Sequence, residues 1–241
     1  LAQGTNVNVS SPIQVGSDTD WASAMMGQNA AFYIKTDGTL YASGGSTNGE
    51  LGINISGATA RRSSPVQVGS QTWLDAQQAE KFSLALRTNG TLWAWGRNNL
   101  GQLGQNDLID RSSPVQIGAL TNWTNIAVGK DGTCLAVNAS GQLYSWGENF
   151  AGLLGQNNAI NYSSPVQVGA LNNWNKVEGG YCRAFLAIKT DGTLWSWGEN
   201  SQGQIGQDDV NLGYSSPVQI GADTNWIDAS PGRYSSYGIR G

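Results

Sequence analysis

Five times along the chain the phrase Ser-Ser-Pro-(Val/Ile)-Gln-(Val/Ile)-Gly recurs, and nothing else in the sequence narrows the fold as much. Its prolines, Pro12, Pro65, Pro114, Pro165 and Pro217, lie 53, 49, 51 and 52 residues apart. A tryptophan follows each copy: Trp21, Trp73, Trp123, Trp174 and Trp226. Between the copies runs a second phrase, DGTLWSWGENSQGQIG at 191–206 and NGTLWAWGRNNLGQLG at 89–104, with variants at 37–52 and 140–155. A period near 51 with no helical spacing inside it predicts stacked sheets, the blades of a β-propeller, rather than a helical solenoid.

Each unit reads as four short strands. The first starts at the tryptophan, and the second is an apolar run ending in the column Ile34, Leu86, Val137, Ile188 and Ile239. The third is the Leu-Trp-x-Trp segment, as at Leu92 and Leu194, and the fourth is Pro-Val-Gln-Val. Asp37-Gly38, Asn89-Gly90, Ser140-Gly141 and Asp191-Gly192 separate strands two and three, which predicts hairpins with type I′ turns. Side chains alternate across a strand, so Trp195 and Trp197 share one face and Leu194 and Ser196 the other. Trp93, Trp95, Trp146, Trp195 and Trp197 are therefore expected to fill the wedge between neighbouring blades, each burying roughly 150–250 Å².

These residues resemble the RCC1-type (regulator of chromosome condensation) repeat. That family carries a D-G-x-[LV]-[YW]-x-W-G hairpin and an N-x-x-G-Q-L-G tail, matched by 191–198 with Asn200, Gly203, Gln204, Ile205 and Gly206, and by 89–96 with Asn98 and 101–104. The resemblance spans essentially the whole chain and implies an all-β propeller of four-stranded blades, most often seven. The family's G-x-x-H-S-L-A-L stretch is not kept: its His column holds Ala30, Phe82, Thr133, Ala184 and Ser235, and its glycine survives at Gly27 and Gly232. The basic tail and arginine loop behind the founding member's nucleotide-exchange and chromatin functions have no counterpart, which sets an exchange-factor role behind a purely binding one.

Aligning the tails divides the 241 residues into repeats 1–50, 51–102, 103–153, 154–204 and 205–241, the last lacking the 14 residues that match 191–204. The expectation is one domain of about five blades in view. Either it is a window on a longer array, seven such units needing about 360 residues, or it is closed by the strand at 10–16 completing the last sheet. Such a clasp would remove exposed edges.

Composition narrows the function. Charged residues make up 12% and the net charge is −4, with no cluster of Lys and Arg beyond Arg61-Arg62, which argues against nucleic acid as a partner. No apolar run reaches the ~20 residues of a membrane-spanning helix. Histidine is absent, which removes His-based dyads and His metal sites. Glu148 and Glu199 recur at one repeat position, as structural residues do, and Asp208-Asp209 lacks the spacing of a Ca²⁺ loop. No enzyme activity, metal or cofactor is expected. Cys134 and Cys182 read as buried free thiols, with a blade-to-blade disulfide as the alternative.

Recognition then falls to what varies, because loops can change without disturbing a core. One variable set precedes Ser-Ser-Pro, at 53–62, 105–111, 156–162 and 207–214. The other joins strands one and two, at 25–30, 77–81, 129–132, 179–183 and 230–234. The second set supplies the candidate binding residues Met25, Met26, Lys81, Lys130, Tyr181, Arg183, Arg233 and Tyr234. Tyr and Arg are enriched at interface hot spots. The reading is a non-enzymatic propeller presenting loops to a protein partner, in an extracellular or surface-assembly setting such as a filament or virion, with the cytoplasm left open. The alternative is a lectin-like propeller binding a glycan.

Overall fold

The structure is a computed structural model, and it describes residues 10–180, 183–208 and 213–241. Its strands are all antiparallel to their neighbours. The first sheet holds β1 (Trp21–Met26), β2 (Ala30–Lys35), β3 (Thr39–Gly45) and the first half of β4 (Arg61–Gln78). The second half of β4 opens the next sheet with β5 (Phe82–Arg87), β6 (Leu92–Gly96) and β7 (Arg111–Gln116). The third sheet is β8 (Trp123–Val128), β9 (Thr133–Asn138), β10 (Leu143–Gly147) and β11 (Tyr162–Gln167). The fourth is β12 (Trp174–Glu178), β13 (Ala184–Lys189), β14 (Leu194–Gly198) and β15 (Tyr214–Gln219). A two-stranded sheet of β16 (Trp226–Pro231) and β17 (Ser236–Arg240) follows.

Apolar clusters form between successive sheets. Leu84 and Leu86 of the second sheet pack on Ile126, Cys134, Ala136 and Trp146 of the third. Leu135 and Val137 of the third pack on Val177, Phe185, Ala187 and Trp197 of the fourth. The alternation of β-strand side chains produces this, because each second strand sends alternate residues to the sheet before it and to the sheet after it.

The tryptophans divide into two kinds. Trp95, Trp146 and Trp197 are fully buried, and each indole N–H crosses to the preceding unit, donating to the carbonyls of Glu50 (2.8 Å), Gln102 (3.0 Å) and Leu153 (2.9 Å). A Cβ on Gly52, whose φ is +71°, would stand 2.8 Å from the Trp95 indole nitrogen, so only glycine fits beneath the ring. Trp93 and Trp195, expected to fill the wedge as well, are only half-buried. They sit at the rim of the same clusters, donate to Thr91 and Thr193 hydroxyls within their own hairpins, and meet Trp73 and Trp174 edge-on at 6.3 and 5.9 Å.

Three other expectations change. The hairpins form where predicted, but their turns are not type I′: Gly38, Gly90, Gly141 and Gly192 take positive φ while the residues before them do not. The turn closes from the glycine N–H to the carbonyl of Lys35, Arg87, Asn138 or Lys189, and the left-handed glycine follows it. Asp37, Asn89 and Asp191 are there for another reason, since their side-chain oxygens accept the backbone and hydroxyl hydrogens of Thr39, Thr91 and Thr193. The fourth strands β7, β11 and β15 begin one residue before Ser-Ser and end at Gln, while β4 starts at Arg61 and runs on into the next sheet. Residues 10–16 form no strand, so the clasp is not made. A strand needs an edge to pair with, and among the described residues the principal contacts between sheets run from each sheet to the next.

Candidate functional site

Both variable loop sets lie at one end of the sheets. In the second sheet Gly96 pairs with Phe82 on one side and Arg111 on the other, so the β4–β5 loop and the β6–β7 loop emerge together. The third sheet repeats this, with Gly147 facing Thr133 and Tyr162. Loops joining first and second strands make an inner row, and tails running to the fourth strands make an outer one.

A repeated backbone bond holds the inner row. The N–H groups of Gly45, Arg97, Glu148 and Glu199 donate to the carbonyls of Asn29, Lys81, Gly132 and Arg183 at 2.7, 2.9, 3.1 and 2.7 Å. The backbone is constant at these eight positions, and apart from Glu148 and Glu199 the side chains differ. A buried asparagine fixes the outer row in the same manner. Asn98 accepts the Leu103 N–H and donates to the Asp107 carbonyl, and Asn149 accepts the Leu154 N–H and donates to the carbonyls of Asn158 and Ile160. In the first unit the Ser46 hydroxyl takes the Leu51 N–H instead.

Charge on this face is uneven. Lys81 and Arg97 stand together at the second sheet, with Glu80 3.8 Å from the Lys81 ammonium. At the third and fourth sheets Asp131, Glu148 and Glu199 surround Arg183. The Arg183 Nε donates to Asp131 across the sheet boundary at 2.8 Å, its Nη1 lies 3.8 Å from Glu199, and its guanidinium covers the exposed Phe150 ring at 4.6 Å. Burial pushes the Glu148 carboxyl up from its ordinary value, and Asp131 adds to the rise. A guanidinium held by a carboxylate and an aromatic face is a preset contact that loses little freedom on docking. Leu108, Ile109 and Ile160 are exposed on the outer row.

The sequence-predicted residues are spread along this end. Lys81, Lys130 and Arg183 belong to the inner row, and Arg233 stacks on the exposed Tyr234 at 4.9 Å in the last sheet's loop. Met25 and Met26 belong to β1 and not to a loop: Met25 packs into the cluster between the first two sheets, and Met26 points away from it. Tyr181, Cys182 and Asp209 lie outside the described residues. Cys134 is a free buried thiol donating to the Gln102 carbonyl, the acceptor it shares with Trp146. Phe150, Asp131 and Arg97 were missed by sequence reasoning. Their signal was available, as each is the odd residue at a position whose backbone neighbours repeat. No group of three or more His, Cys, Asp or Glu side chains placed to hold a metal occurs among the described residues, and no helix is long and apolar enough to cross a membrane.

A cleft of about 470 Å³ between the third and fourth sheets, at the opposite end, is lined by Leu171, Trp174, Trp195 and Pro217. The Lys189 ammonium sits 3.6 Å from the Trp195 ring centroid and Trp174 abuts the same ring, so the indole offers little open face for a sugar to stack on.

Comparison with known proteins agrees with this architecture. The human E3 ubiquitin-protein ligase HERC2 is 29% identical over 214 residues, 85% of this chain and 4% of that protein. The Arabidopsis thaliana ultraviolet-B receptor UVR8 is 30% identical over 202 residues, 80% of this chain and 44% of the relative. The chain thus spans less than half the length of these relatives. Human WBSCR16 superposes with a TM-score of 0.81 at 19% identity, over 100% of this chain and 65% of that one. Saccharomyces cerevisiae Prp20p, solved with its binding properties to Gsp1p and histones, gives 0.79 at 19% identity, over 95% and 58%. At these identities the structures speak for the fold alone. The regulator of chromosome condensation (RCC1) repeat model matches residues 89–136, 140–182 and 191–239, and the chain belongs to the RCC1 repeat family.

Proposed function

We propose that this chain is a non-enzymatic, protein-binding RCC1-type propeller segment whose recognition face is the loop end described above. The observation that carries the reading is the pairing of invariant backbone with varied side chains: one hydrogen bond recurs in four units, and the residues it fixes are Asn29, Lys81, Gly132 and Arg183 on one partner, Gly45, Arg97, Glu148 and Glu199 on the other. A purely structural position would repeat its side chain, as Trp95, Trp146 and Trp197 do. The separation of Lys81 and Arg97 from the Asp131, Glu148 and Glu199 group favours a partner with charge arranged in the opposite order. Prp20p, whose structure is described with binding to Gsp1p and histones, supports the use of such propellers as protein-binding platforms.

The test is site-specific photo-crosslinking in extract from the source organism. A crosslinker at Phe150 or Arg183 is expected to capture one defined protein, and Lys81→Glu with Arg97→Glu to abolish capture. A crosslinker at Asn89, on the opposite end, is expected to capture nothing. Equal capture from both ends, or none from Phe150 and Arg183, overturns the reading.

A further inference from the structure

In three sheets the second strand ends on a cation that pairs in register with the tryptophan opening the first strand. In the first sheet Lys35 lies opposite Trp21, its ammonium 5.2 Å from the Trp21 ring and 5.3 Å from the Tyr41 ring. It bonds Asp18, three residues before the tryptophan, at 2.9 Å, and Asp20 at 3.2 Å. In the last sheet Arg240 lies opposite Trp226, over its ring, and bonds Asp223 at 2.7 Å, again three residues before the tryptophan. A carboxylate at this place thus reaches the cation held on the rings.

The fourth sheet keeps the cation and changes its partner. Lys189 lies opposite Trp174, with its ammonium 4.7 Å from the Trp174 ring and 3.6 Å from the Trp195 ring. The residue three before Trp174 is Leu171. Lys189 is 5% exposed, and among the described residues its ammonium meets the two rings and no carboxylate within bonding distance. A buried charge is costly unless paired, and ring faces answer it only in part. Burial accordingly pushes the Lys189 amine below its ordinary value, with Asp191 opposing, whereas the bond to Asp18 holds Lys35 above its own.

The same two rings and Leu171 line the cleft of about 470 Å³ between the third and fourth sheets. Val168 and Pro217 add apolar surface, Gln167 adds an amide, and no lining residue is charged. Such a volume suits one small ligand. We propose that this cleft binds a small organic acid, its apolar body against Leu171 and Trp195 and its carboxylate bonded to Lys189, as the chain's own Asp18 and Asp223 bond Lys35 and Arg240. The cleft lies at the end opposite the loop face, so the site stands independently of the protein-binding reading.

The probe is 3-phenylpropionate, titrated into the full chain by calorimetry and tryptophan fluorescence beside its neutral counterpart, 3-phenylpropanamide. Saturable one-to-one binding of the acid is expected, with the amide weaker by roughly tenfold or more. A peptide ending in phenylalanine, which carries the same group on a chain, is expected to bind no better than the free acid. Lys189→Met is expected to bring the acid down to the affinity of the amide. Leu171→Asp rebuilds the ion pair of the first sheet inside the chain and is expected to abolish binding of the acid. Leu171 is exposed, so an unchanged or raised melting temperature will show that this variant folds even if Lys189→Met does not. No saturable binding of the acid, equal affinities for acid and amide, tighter binding of the peptide, or undiminished binding by Leu171→Asp overturns the proposal.

Discussion

The fourth sheet and the last sheet share the register of their first two strands and live in different surroundings. Ala184–Lys189 and Ser236–Arg240 occupy the same register against their first strands, with Ile188 opposite Lys176 and Ile239 opposite Asp228. Leu186 and Ile188 are buried to a few per cent, whereas Tyr237 and Ile239 stand mostly in solvent. The difference teaches that a blade does not own its core. Each sheet supplies half of two interfaces, and burial follows from the neighbour, as it does in repeat architectures generally.

The sharpest way to break that comparison is to remove a residue that crosses it. Trp197→Ala deletes a fully buried ring and its bond to the Leu153 carbonyl. It is expected to cost about 3–5 kcal/mol, read as the shift of a urea unfolding midpoint. Trp195→Ala, two residues away and half-buried, should cost clearly less. Equal losses would mean that the rim and the wedge contribute alike.

The next test sets the two second strands against each other. Leu186→Ala in the fourth sheet is expected to lose about 2–5 kcal/mol. Tyr237→Ala, in the exposed matching column of the last sheet, should stay within about 0.5 kcal/mol. A large loss at Tyr237 in dilute solution would show that its face is covered within a single chain.

Smaller effects are expected where charge replaces packing. Arg183→Ala removes a partly exposed ion pair, so its cost in stability should fall below about 1 kcal/mol. Its effect should appear instead in the yield of the crosslink at Phe150. At the inner strands, burial pushes the Asp75 carboxyl up, against the opposing bond from the Gln77 amide, and Asp75 lies near Glu178, whose carboxyl is also raised by burial. A carboxyl raised in the folded state binds more protons folded than unfolded. Its contribution is therefore favourable below the ordinary carboxylate range and is lost as pH rises through the folded value. Asp75→Asn is expected to raise the melting temperature slightly at pH 7 and not at pH 4; no difference between the two pH values would place Asp75 in water.

Much of this was legible in the chain. The period near 51, the strand order and the hairpins followed from repetition, because a phrase that returns in register must do the same structural work each time. The turn type was misread for a physical reason: Asp and Asn accept left-handed backbone, but they also accept hydrogen bonds from a threonine two residues on, and here the second property is the one used. Of the candidate site, Lys81 and Arg183 were found because their loops vary, whereas Met25 and Met26 were placed one element too late. An apolar strand end and an apolar loop look alike in sequence, and the β1–β2 pairing alone separates them.

What the residues determined by themselves was the blade: alternation, turn glycines and paired tryptophans are local rules that hold whatever lies beside them. The tertiary structure decided which tryptophan crosses to the preceding unit and that both variable loop sets share one end. Those are properties of stacking, and stacking depends on neighbours some fifty residues away, whose contact no single unit encodes.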